Sequence, residues 1–491
     1  MSTNITQETL DEFKKSFTQP ATATSGLATY SLEAPSKKLF PVLTPLRNEI
    51  ARIVGGSGIQ ANWRVITGIN TGNVGIGLSE GQRGYGIEHD TAEKFAKFCF
   101  LGLNDSVTFE AELAGRGFED VRATASTQLL NSLMIQEEFL DYAGNGTLNL
   151  GKTPAPVLST ATSGGSLAAT TEFSVIVVAL SQRGWQQVAG FNNGTVGQSV
   201  NVATAALVPT FARVDLKDGA TKTVAGGVAQ KSDAVAITTG AGTSNSITVT
   251  VSPVAGAFGY AYFWGVAGSE VLGAVSHLNV AVIKTVAGGS VAASAFTADN
   301  SKDEKVYDGL LTQIVTAGSG AYVRALAAGS DLTSDGAGGI VEIEEALAGF
   351  YDQYKLSPEK MYVSAKLLRK INKLIIANGG APLIRFNGDM NGSNSYNAGT
   401  VVANYLNKST NTNVKIEVHP NAAPGTIMFF SNNVPYKLSG VSNVVQKLLR
   451  RDYYQIDWPL RSREFEFGIF FDGVLQNYFT PAFGLIYNIA E

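Results

Sequence analysis

The sequence is poor in cysteine, in charge and in long apolar runs, and each shortage excludes a class of protein. Its one cysteine, Cys99, forbids an internal disulfide and any zinc site built from several cysteines. We therefore expect a reducing compartment. No stretch approaches the roughly 18 apolar residues of a membrane-spanning helix. The first residues also lack the basic and apolar regions of a secretory signal peptide.

Charged residues are scarce in the chain as a whole. They make up 16% of the 491 residues, where an ordinary soluble protein carries about 25%. Hydrophobic residues reach 44%, which excludes disorder, because disordered chains combine low apolar content with high charge. The net charge of −4, without a basic arm, argues against a dedicated nucleic-acid reader. We expect much of the surface to contact something other than water.

The beginning of the chain predicts an arm. Residues 8–17 place Leu10, Phe13 and Phe17 on one stripe of a short helix. A loose polar stretch follows, with little to pack against. We expect this arm to become ordered only against a neighbour.

A glycine-dense segment predicts an extended two-stranded loop. Seven glycines lie between Gly68 and Gly86. One strand is predicted before this segment and returning strands after it, at 63–67, 97–101 and 105–110. Since a lone two-stranded ribbon is marginal in water, we expect this one to lie on another surface.

The longest predicted helix covers residues 118–142, where apolar side chains recur every three or four positions. It is roughly 37 Å long and ends before Gly144 and Gly146, which stop a helix.

Helices return in the last third of the chain, at 342–354 and at 357–377. The second has Ser357 as its predicted N-cap and Pro358 at its first helical position. Residues 387–395 predict a flexible loop. Farther on, alternating apolar residues predict a strand over 464–471.

Residues 153–299 differ in composition from the rest and predict an inserted all-β sandwich. Only 12 of the 148 residues from 153 to 300 are charged, about half the frequency of the whole chain. Strand-like runs are separated by Gly, Ser and Asn turns, without a helical pattern. The predicted strands cover 172–180, 246–251, 260–264 and 278–283.

Two segments match the patterns of known binding loops, but their flanking residues do not fit those loops. Residues 146–153 match the phosphate-binding pattern G-x-x-x-x-G-K-[ST], but Pro154 and Pro156 stand where its helix must begin. We interpret this segment as a linker. Asp331, Asp335 and Glu342 approximate the spacing of a calcium loop, and a turn leading into the helix at 342 is the better interpretation.

The remaining candidates predict no site either. His89, His277 and His419 are far apart in sequence, and residues 88–90 (Glu-His-Asp) are interpreted as a solvated turn. Cys99 lies in an apolar strand and is expected to be packed. Residues 450–454 (Arg-Arg-Asp-Tyr-Tyr) are interpreted as an interface or solvated edge. We predict no catalytic, cofactor-binding or metal-binding residues.

In this order, the parts of the chain resemble tailed-bacteriophage major capsid proteins, the Johnson fold of Hong Kong 97 type. The resemblance lies in five motifs of this sequence: residues 80–84, 118–122 through 141–144, 308–312, 332–336 and 356–359. The insertion is similar to immunoglobulin-like or fibronectin-like domains carried by such capsids. That similarity lies in Gly164, Gly165, 178–181 with Gly184, and 254–260 with Trp264 and Gly265.

The resemblance implies an α+β fold with an N-terminal arm, extended loop, peripheral domain with a long spine helix, axial domain and all-β sandwich insertion. The implied ranges are 1–58 for the arm, 59–112 for the extended loop, 113–152, 300–330 and 446–491 for the peripheral domain, 153–299 for the insertion and 331–445 for the axial domain.

The implied function is structural and not enzymatic. Subunits would form hexamers and pentamers of an icosahedral shell around double-stranded DNA, contacting the DNA only generically. Scaffolding and portal proteins are the other implied partners, the scaffolding protein being separate because fewer than 60 residues precede the loop. The protein would belong to the virion and assemble in the host cytoplasm. Some relatives cross-link a lysine to an asparagine, and we do not predict this for Lys94 or Lys97.

Two alternatives remain open. One is another virion or surface structural protein, such as a tail-tube, fibre or adhesin subunit, in which the β domain binds a partner. It predicts β structure throughout. The other is a nucleotide hydrolase working through Lys152, which requires a helix to begin there.

Overall fold

The computed structural model describes residues 42–491 except for 70–75, 85, 117–118, 190–206, 215–220, 378–383, 389–393, 399–401, 437–438 and 461. The α-helices of the described residues are α1 (Pro45–Glu49), α2 (Phe109–Gly115), α3 (Val121–Ala143), α4 (Gln182–Ala189), α5 (Leu310–Val315), α6 (Val341–Tyr354) and α7 (Ala365–Ala377). None of them is long and apolar enough to cross a membrane. The helix predicted at 8–17 lies outside the described residues.

The strands of the same residues begin with β1 (Ala51–Val54), β2 (Gln60–Ile69), β3 (His89–Lys97), β4 (Cys99–Thr108), β5 (Val157–Ala161), β6 (Glu172–Leu180), β7 (Thr210–Val214) and β8 (Thr221–Ala225). They continue with β9 (Val235–Thr238), β10 (Ser246–Thr250), β11 (Gly259–Gly265), β12 (Val271–Ser276), β13 (Val280–Ile283), β14 (Tyr322–Ala325), β15 (Lys360–Val363) and β16 (Ile384–Gly388). The last are β17 (Asn394–Ala398), β18 (Asn404–Asn407), β19 (Thr412–Val418), β20 (Ile427–Phe430), β21 (Val445–Asp457), β22 (Glu464–Asn477) and β23 (Gly484–Tyr487).

The chain divides into two compact units. Among the described residues, the first comprises 42, 104–131 and 456–468, and the second 43–103, 132–455 and 469–491. In the first unit, Thr108 caps α2 by accepting a hydrogen bond from the backbone N–H of Ala111. The Phe109 ring packs on Phe465 at 4.6 Å, and Arg122 lies over that second ring at 4.2 Å.

The long helix predicted at 118–142 is α3, Val121–Ala143. Asp120 caps its N-terminus by accepting a hydrogen bond from the backbone N–H of Ala123 at 3.0 Å. At its other end a Cβ on Gly144 would lie 2.5 Å from a backbone carbonyl oxygen, so only glycine fits there. Phe118, the predicted first residue, lies outside the described residues.

A six-stranded sheet in the second unit has the order β14-β23-β20-β15-β19-β18. β15 pairs parallel with β19 and antiparallel with β20. All four residues of β20 are buried, as are Met361, Tyr362 and Val363 of β15. The helix α6 was predicted from Glu342 and begins one residue earlier.

The prediction of a single helix over 357–377 is wrong in its first part. Residues 360–363 form β15, and α7 begins only at Ala365. Ser364 is the capping residue in place of Ser357, because its Oγ accepts a hydrogen bond from the N–H of Leu367 at 3.0 Å. Pairing on both sides in a buried sheet outweighs the helix-start signal at Pro358.

The flexible loop predicted at 387–395 is also partly wrong. Its two ends belong to the antiparallel strands β16 and β17, in which Asn387 pairs with Ser395. Residues 389–393 between these strands lie outside the described residues.

The extended ribbon exists, but its second strand was predicted in the wrong place. β2 pairs antiparallel with β3, so Trp63 lies opposite Lys94. The predicted returning runs at 97–101 and 105–110 instead supply β4, in the sheet β1-β21-β22-β4, and the start of α2. Apolar alternation identified strands here but could not say which strand each one pairs with.

Between 153 and 299 the strands form two stacked sheets, β13-β10-β5 and β12-β11-β6-β9, and a separate two-stranded sheet, β7-β8. A core lies between them, with Val175 and Val177 of β6 packed among Ile247 and Val249 of β10. The predicted strands correspond to β6, β10, β11 and β13, and β5, β7, β8, β9 and β12 were not predicted.

The expectation that no helix interrupts this segment is wrong. α4 follows β6 directly, and its Trp185 and Val188 pack on Ile176 and Val178. β6 is therefore buried on both faces. That explains why it is a continuous apolar run rather than an alternating one.

Candidate functional site: an exposed ribbon and a buried charge cluster

The second half of α3 carries three buried carboxylates, Glu137, Glu138 and Asp141. Lys447 of β21, itself 1% exposed, lies between two of them, with its Nζ 2.6 Å from Oδ1 of Asp141 and also paired with Glu137. The hydroxyl of Tyr307 donates to Asp141 at 2.6 Å. We call these five residues, together with Arg47, Arg52, Tyr453 and His419, the buried charge cluster.

Glu137 has the most partners in this cluster. The Nε of Arg47 lies 2.9 Å from its Oε2, and the Arg52 guanidinium and the Tyr453 hydroxyl also donate to its carboxylate. Both guanidinium groups lie over the Tyr453 ring, at 5.4 and 4.7 Å, within the range of a cation–π contact. The elements α1, β1, α3 and β21 therefore meet at one buried carboxylate.

Burial and neighbouring charges separate the pKa values of the two carboxylates. Burial alone would raise the pKa of Glu137, but Lys447 and Arg52 outweigh it and lower this pKa to about 2. Burial raises the pKa of Asp141 to about 6, against the effect of Lys447 and with a further increase from Glu137. Because both share one ammonium, they titrate as a coupled pair. Asp141 is the member that takes up a proton first as the pH falls.

Glu138 faces a different set of donors. Its Oε1 lies 2.6 Å from Nε2 of His419 and accepts the N–H of Leu46, while Oε2 accepts the N–H of Arg47. The His419 Nδ1 accepts the N–H of Asn421, which assigns the ring proton to Nε2. The carboxylate thus satisfies two N–H groups in the first turn of α1, where a negative charge is favourable.

The cluster connects distant parts of the second unit. Its charges are paired with one another. Among the described residues, no group of three or more His, Cys, Asp or Glu side chains is placed to hold a metal ion. The arrangement supports a structural role in fixing α1 and β1 against α3.

This cluster was not predicted from the sequence, although one signal was available. Glu137 and Asp141 are four residues apart, so they share a helix face, and Phe139 and Leu140 beside them are buried. Lys447 likewise interrupts an apolar run. A charge inside an apolar run indicates a buried ion pair, because an unpaired charge there is costly.

The ribbon β2–β3 is the second notable feature, because its outer face, its tip and the residue before β2 expose large apolar side chains. They are Ile59 (81% exposed), Ile66 (67%), Ile69 (52%), Ile76 (94%), Leu78 (53%), Ile87 (55%) and Phe95 (68%). On the outer face the exposed Arg64–Glu93 ion pair lies between Ile66 and Phe95. Several exposed apolar residues on one element still mark an interaction surface, whereas single ones are ordinary. We call these seven side chains the ribbon patch.

The inner face of the ribbon is fixed to the end of β22. Nε1 of Trp63 donates to the carbonyl of Asn477 at 3.2 Å, and Nζ of Lys94 donates to Thr480 Oγ1 at 3.0 Å. Burial lowers the pKa of Lys94. The Trp63 ring also meets Tyr478 edge-on at 6.5 Å. Only the outer face of the ribbon is thus presented to solvent.

Residues 146–153, which match the phosphate-binding pattern, form a connecting segment. Nζ of Lys152 pairs with Asp233 at 2.6 Å. The hydroxyl of Thr153 donates to the carbonyl of Gln230 and accepts the N–H of Ala179. The next element is the strand β5, so no helix begins at Lys152.

The calcium-like segment is a turn whose carboxylates already have partners. Oδ1 of Asp335 accepts two backbone N–H groups, and Lys408 pairs with Oδ2 at 2.6 Å. The hydrogen bond from Lys408 lowers the pKa of Asp335 to about 2. Asp331 pairs with Lys370, and Glu342 accepts the N–H of Thr333.

The three histidines lie apart. His89 is exposed at the start of β3, opposite Ile69, so the turn predicted at 88–90 is wrong for its last two residues. Nε2 of His277 lies 3.2 Å from the carbonyl oxygen of Ile489, and His419 belongs to the buried charge cluster. Cys99 is buried, which raises its pKa to about 11.

The motif at 450–454 divides between two environments. Arg450 stacks over Phe100 at 4.5 Å, and Arg451 over Tyr454 at 4.1 Å. Asp452 pairs with Arg52, and Tyr453 donates to Glu137. Two of the five residues are thus linked to the buried charge cluster.

No protein-family profile matches the sequence, and no curated protein matches it. Solved structures that match include the capsid of a native GTA particle, with 10% identity, a TM-score of 0.46 and coverage of 96% of this chain and 99% of that one. Others are Microbacterium phage Oxtober96 (8% identity, TM-score 0.40, coverage 94% and 96%) and the capsid of Myoviridae phage XM1 (9%, 0.39, 94% and 97%). Two of these three titles, those of the GTA particle and of phage XM1, name the particle component that was solved, and in both it is the capsid.

Proposed function

We propose that this chain is the major capsid protein of a tailed phage, forming hexamers and pentamers of an icosahedral shell that encloses double-stranded DNA. The observation that carries the proposal is the ribbon patch. Its ribbon is anchored on one face and exposes large apolar side chains on the other face, at the tip and, with Ile59, directly before β2. Such a surface needs a partner, and a neighbouring copy of the chain supplies one in a shell.

The energetics of the ribbon patch favour repeated weak contacts. Fully burying one Ile or Phe side chain contributes about 1.5–3 kcal/mol. Ile66 and Phe95 together would therefore contribute several kcal/mol at each contact, before the cost of association is subtracted. A heterologous contact of this kind closes into rings when the rotation between copies is right.

The domain ranges of the proposal follow the chain order of the elements. The arm is 1–58, the extended loop 59–112, the peripheral domain 113–152 with 300–330 and 446–491, and the axial domain 331–445. The two stacked sheets support an immunoglobulin-like or fibronectin-like insertion at 153–299. The long helix α3 supports the spine of the peripheral domain.

In this proposal the protein has no enzymatic activity, and its partners are further copies of itself, scaffolding and portal proteins, and DNA. It resides in the virion and assembles in the host cytoplasm. The alternative of a tail-tube, fibre or adhesin subunit is supported less well, because it predicts β structure throughout. The 23-residue helix α3 and the helices α6 and α7 do not fit it.

Assembly of the purified full-length chain tests the proposal. We expect closed shells by negative-stain electron microscopy and fast-sedimenting particles by ultracentrifugation. The double variant Ile66→Asn/Phe95→Ser should stay folded, because both side chains are exposed, and should fail to form shells. The matched control Val266→Asn removes a similarly exposed apolar side chain, 74% accessible, from the connection between β11 and β12.

Three outcomes would contradict the proposal. Tubes in place of closed shells would favour the tail-tube alternative. A monodisperse monomer under every assembly condition would remove the shell function. Shells formed equally well by the ribbon variant would show that the ribbon patch is not the contact.

A further inference from the structure

The helix α7 carries four basic residues on one face. Lys366, Arg369, Lys370 and Lys373 follow the spacing i, i+3, i+4 and i+7, which places them in one stripe along the helix. Leu367 and Ile371 are buried on a different face. The stripe spans about 10 Å, at 1.5 Å for each residue.

The stripe lies in a strongly basic part of an acidic chain. Between Lys360 and Lys415 the sequence has eight basic residues and one acidic residue, Asp389, while the chain as a whole has a net charge of −4. Three of these basic residues, Lys360, Lys408 and Lys415, are paired with carboxylates. Four of the other five lie on α7.

Part of the stripe is occupied and part of it faces solvent. Lys370 pairs with Asp331 and donates to the carbonyl of Ala490 at 2.6 Å. Arg369 and Lys373 are exposed. The ion pairs found among the described residues include neither of these two side chains.

We propose that Arg369 and Lys373 on α7 bind the phosphate backbone of double-stranded DNA, a contact that rests on the proposed function and gives the enclosed DNA a specific place on the subunit. Double-stranded DNA carries about one negative charge for each 1.7 Å of its axis, so one stripe can meet more than one phosphate. Phosphate contacts carry no sequence information. The contact is therefore independent of base sequence.

The composition of the stripe favours DNA over an acidic protein. Lysine is depleted in protein–protein interfaces, whose centres contain aromatic and apolar anchors. The two buried apolar residues of α7 point into the protein core, which leaves the exposed stripe with charge alone. Charge without an apolar anchor is typical of backbone binding to nucleic acid.

Fluorescence anisotropy with the unassembled full-length chain tests this contact. The probes are two labelled 30-base-pair DNA duplexes of unrelated sequence, and poly-glutamate serves as the acidic polypeptide. The test variant is Arg369→Gln/Lys373→Gln. The matched control is Arg64→Gln/Lys152→Gln, which removes two exposed cations that are already paired with carboxylates.

We expect the wild type and the control to bind both duplexes equally well. In the test variant the slope of log affinity against log salt should fall in magnitude by about 1.8, or 0.9 for each lost phosphate contact. Between 50 and 200 mM salt, the wild-type affinity should then fall about twelvefold more than that of the variant.

Three results would overturn the inference: an unchanged slope in the test variant, an equal loss in the control, or tighter binding of poly-glutamate than of DNA through the same two residues. The last would indicate an acidic protein partner. Electron microscopy separates this test from that of the shell. Shells with an unchanged DNA slope overturn only the α7 contact, whereas DNA binding that depends on α7 without shells overturns only the shell.

Discussion

Replacing Lys447 by methionine removes the ammonium between Glu137 and Asp141 while keeping most of the side-chain volume. Glu137 retains Arg47 and Arg52 as partners. Asp141 keeps only the Tyr307 hydroxyl among the contacts described above, so it bears most of the loss. Removing one partner of a buried ion pair costs about 3–5 kcal/mol, because the other charge stays buried without compensation.

Urea unfolding of the unassembled chain, followed by tryptophan fluorescence, measures this loss. Lys415→Met is the matched control, because Lys415 is 58% exposed and pairs with Glu417 at the surface. We expect little change in the free energy of unfolding for that control, since exposed ion pairs contribute little. The double variant Lys447→Met/Asp141→Asn removes both buried charges and should recover part of the stability.

The loss should also depend on pH, with a sign set by Asp141. Its pKa in the folded protein is about 6, above its ordinary value of 3.8, so the folded state holds this proton more tightly than the unfolded state. Its contribution to stability is complete below about pH 4 and is lost as the pH rises through about 6. Without Lys447 this pKa rises further, and the deficit of the Lys447→Met variant should be smaller at pH 5 than at pH 8.

A Lys447→Met variant that loses no more stability than Lys415→Met would show that the buried ammonium does not stabilise the fold. A deficit that is equal at both pH values would contradict the assignment to Asp141. In that case the cost would come from altered packing, and Asp141→Asn would not reduce it.

Two further predictions concern single positions. Gly144→Ala should lower the free energy of unfolding, because its Cβ would lie 2.5 Å from one backbone carbonyl oxygen and 2.7 Å from another. The control Gly77→Ala, with no heavy atom within 4 Å of its Cβ, should leave it unchanged, and equal effects in urea unfolding would contradict this. Cys99 should react slowly with iodoacetamide at pH 8, because burial raises its pKa to about 11, and should react fast in urea. Fast labelling of the folded chain would show that the thiol is accessible.

The periodicity of apolar residues predicted helices and strands well where the pattern depends only on residues close together in sequence. The helix α3 was predicted to within three residues at its start and one at its end, since its apolar stripe and the glycines after it are local signals. β6 was predicted residue for residue, because a strand covered on both faces is a continuous apolar run.

Periodicity failed where a pattern depends on a distant partner. Residues 360–363 form a strand only because β19 and β20 lie on either side, which the Pro358 signal cannot indicate. The pairing of β2 with β3 rather than β4 also depends on tertiary contacts, which a local pattern cannot indicate. The buried charge cluster joins Lys447 to Asp141, 306 residues apart, so only single out-of-place charges were visible in the sequence.

The buried charge cluster and the ribbon patch are connected through β1, and this connection gives the cluster a role in the proposed shell. Arg52 of β1 is held by Glu137, and β1 pairs with β21 over residues 51–54, while the ribbon begins after five intervening residues, at Gln60. The other strand of the ribbon is held at Lys94 by the end of β22. Both strands are thus fixed to the second unit, while Ile76 in the tip is 94% exposed. Buried ion pairs often add little net stability, so we infer that this one serves mainly to set the direction in which the ribbon leaves the subunit. A neighbour can then be met at one fixed angle, as a closed shell requires.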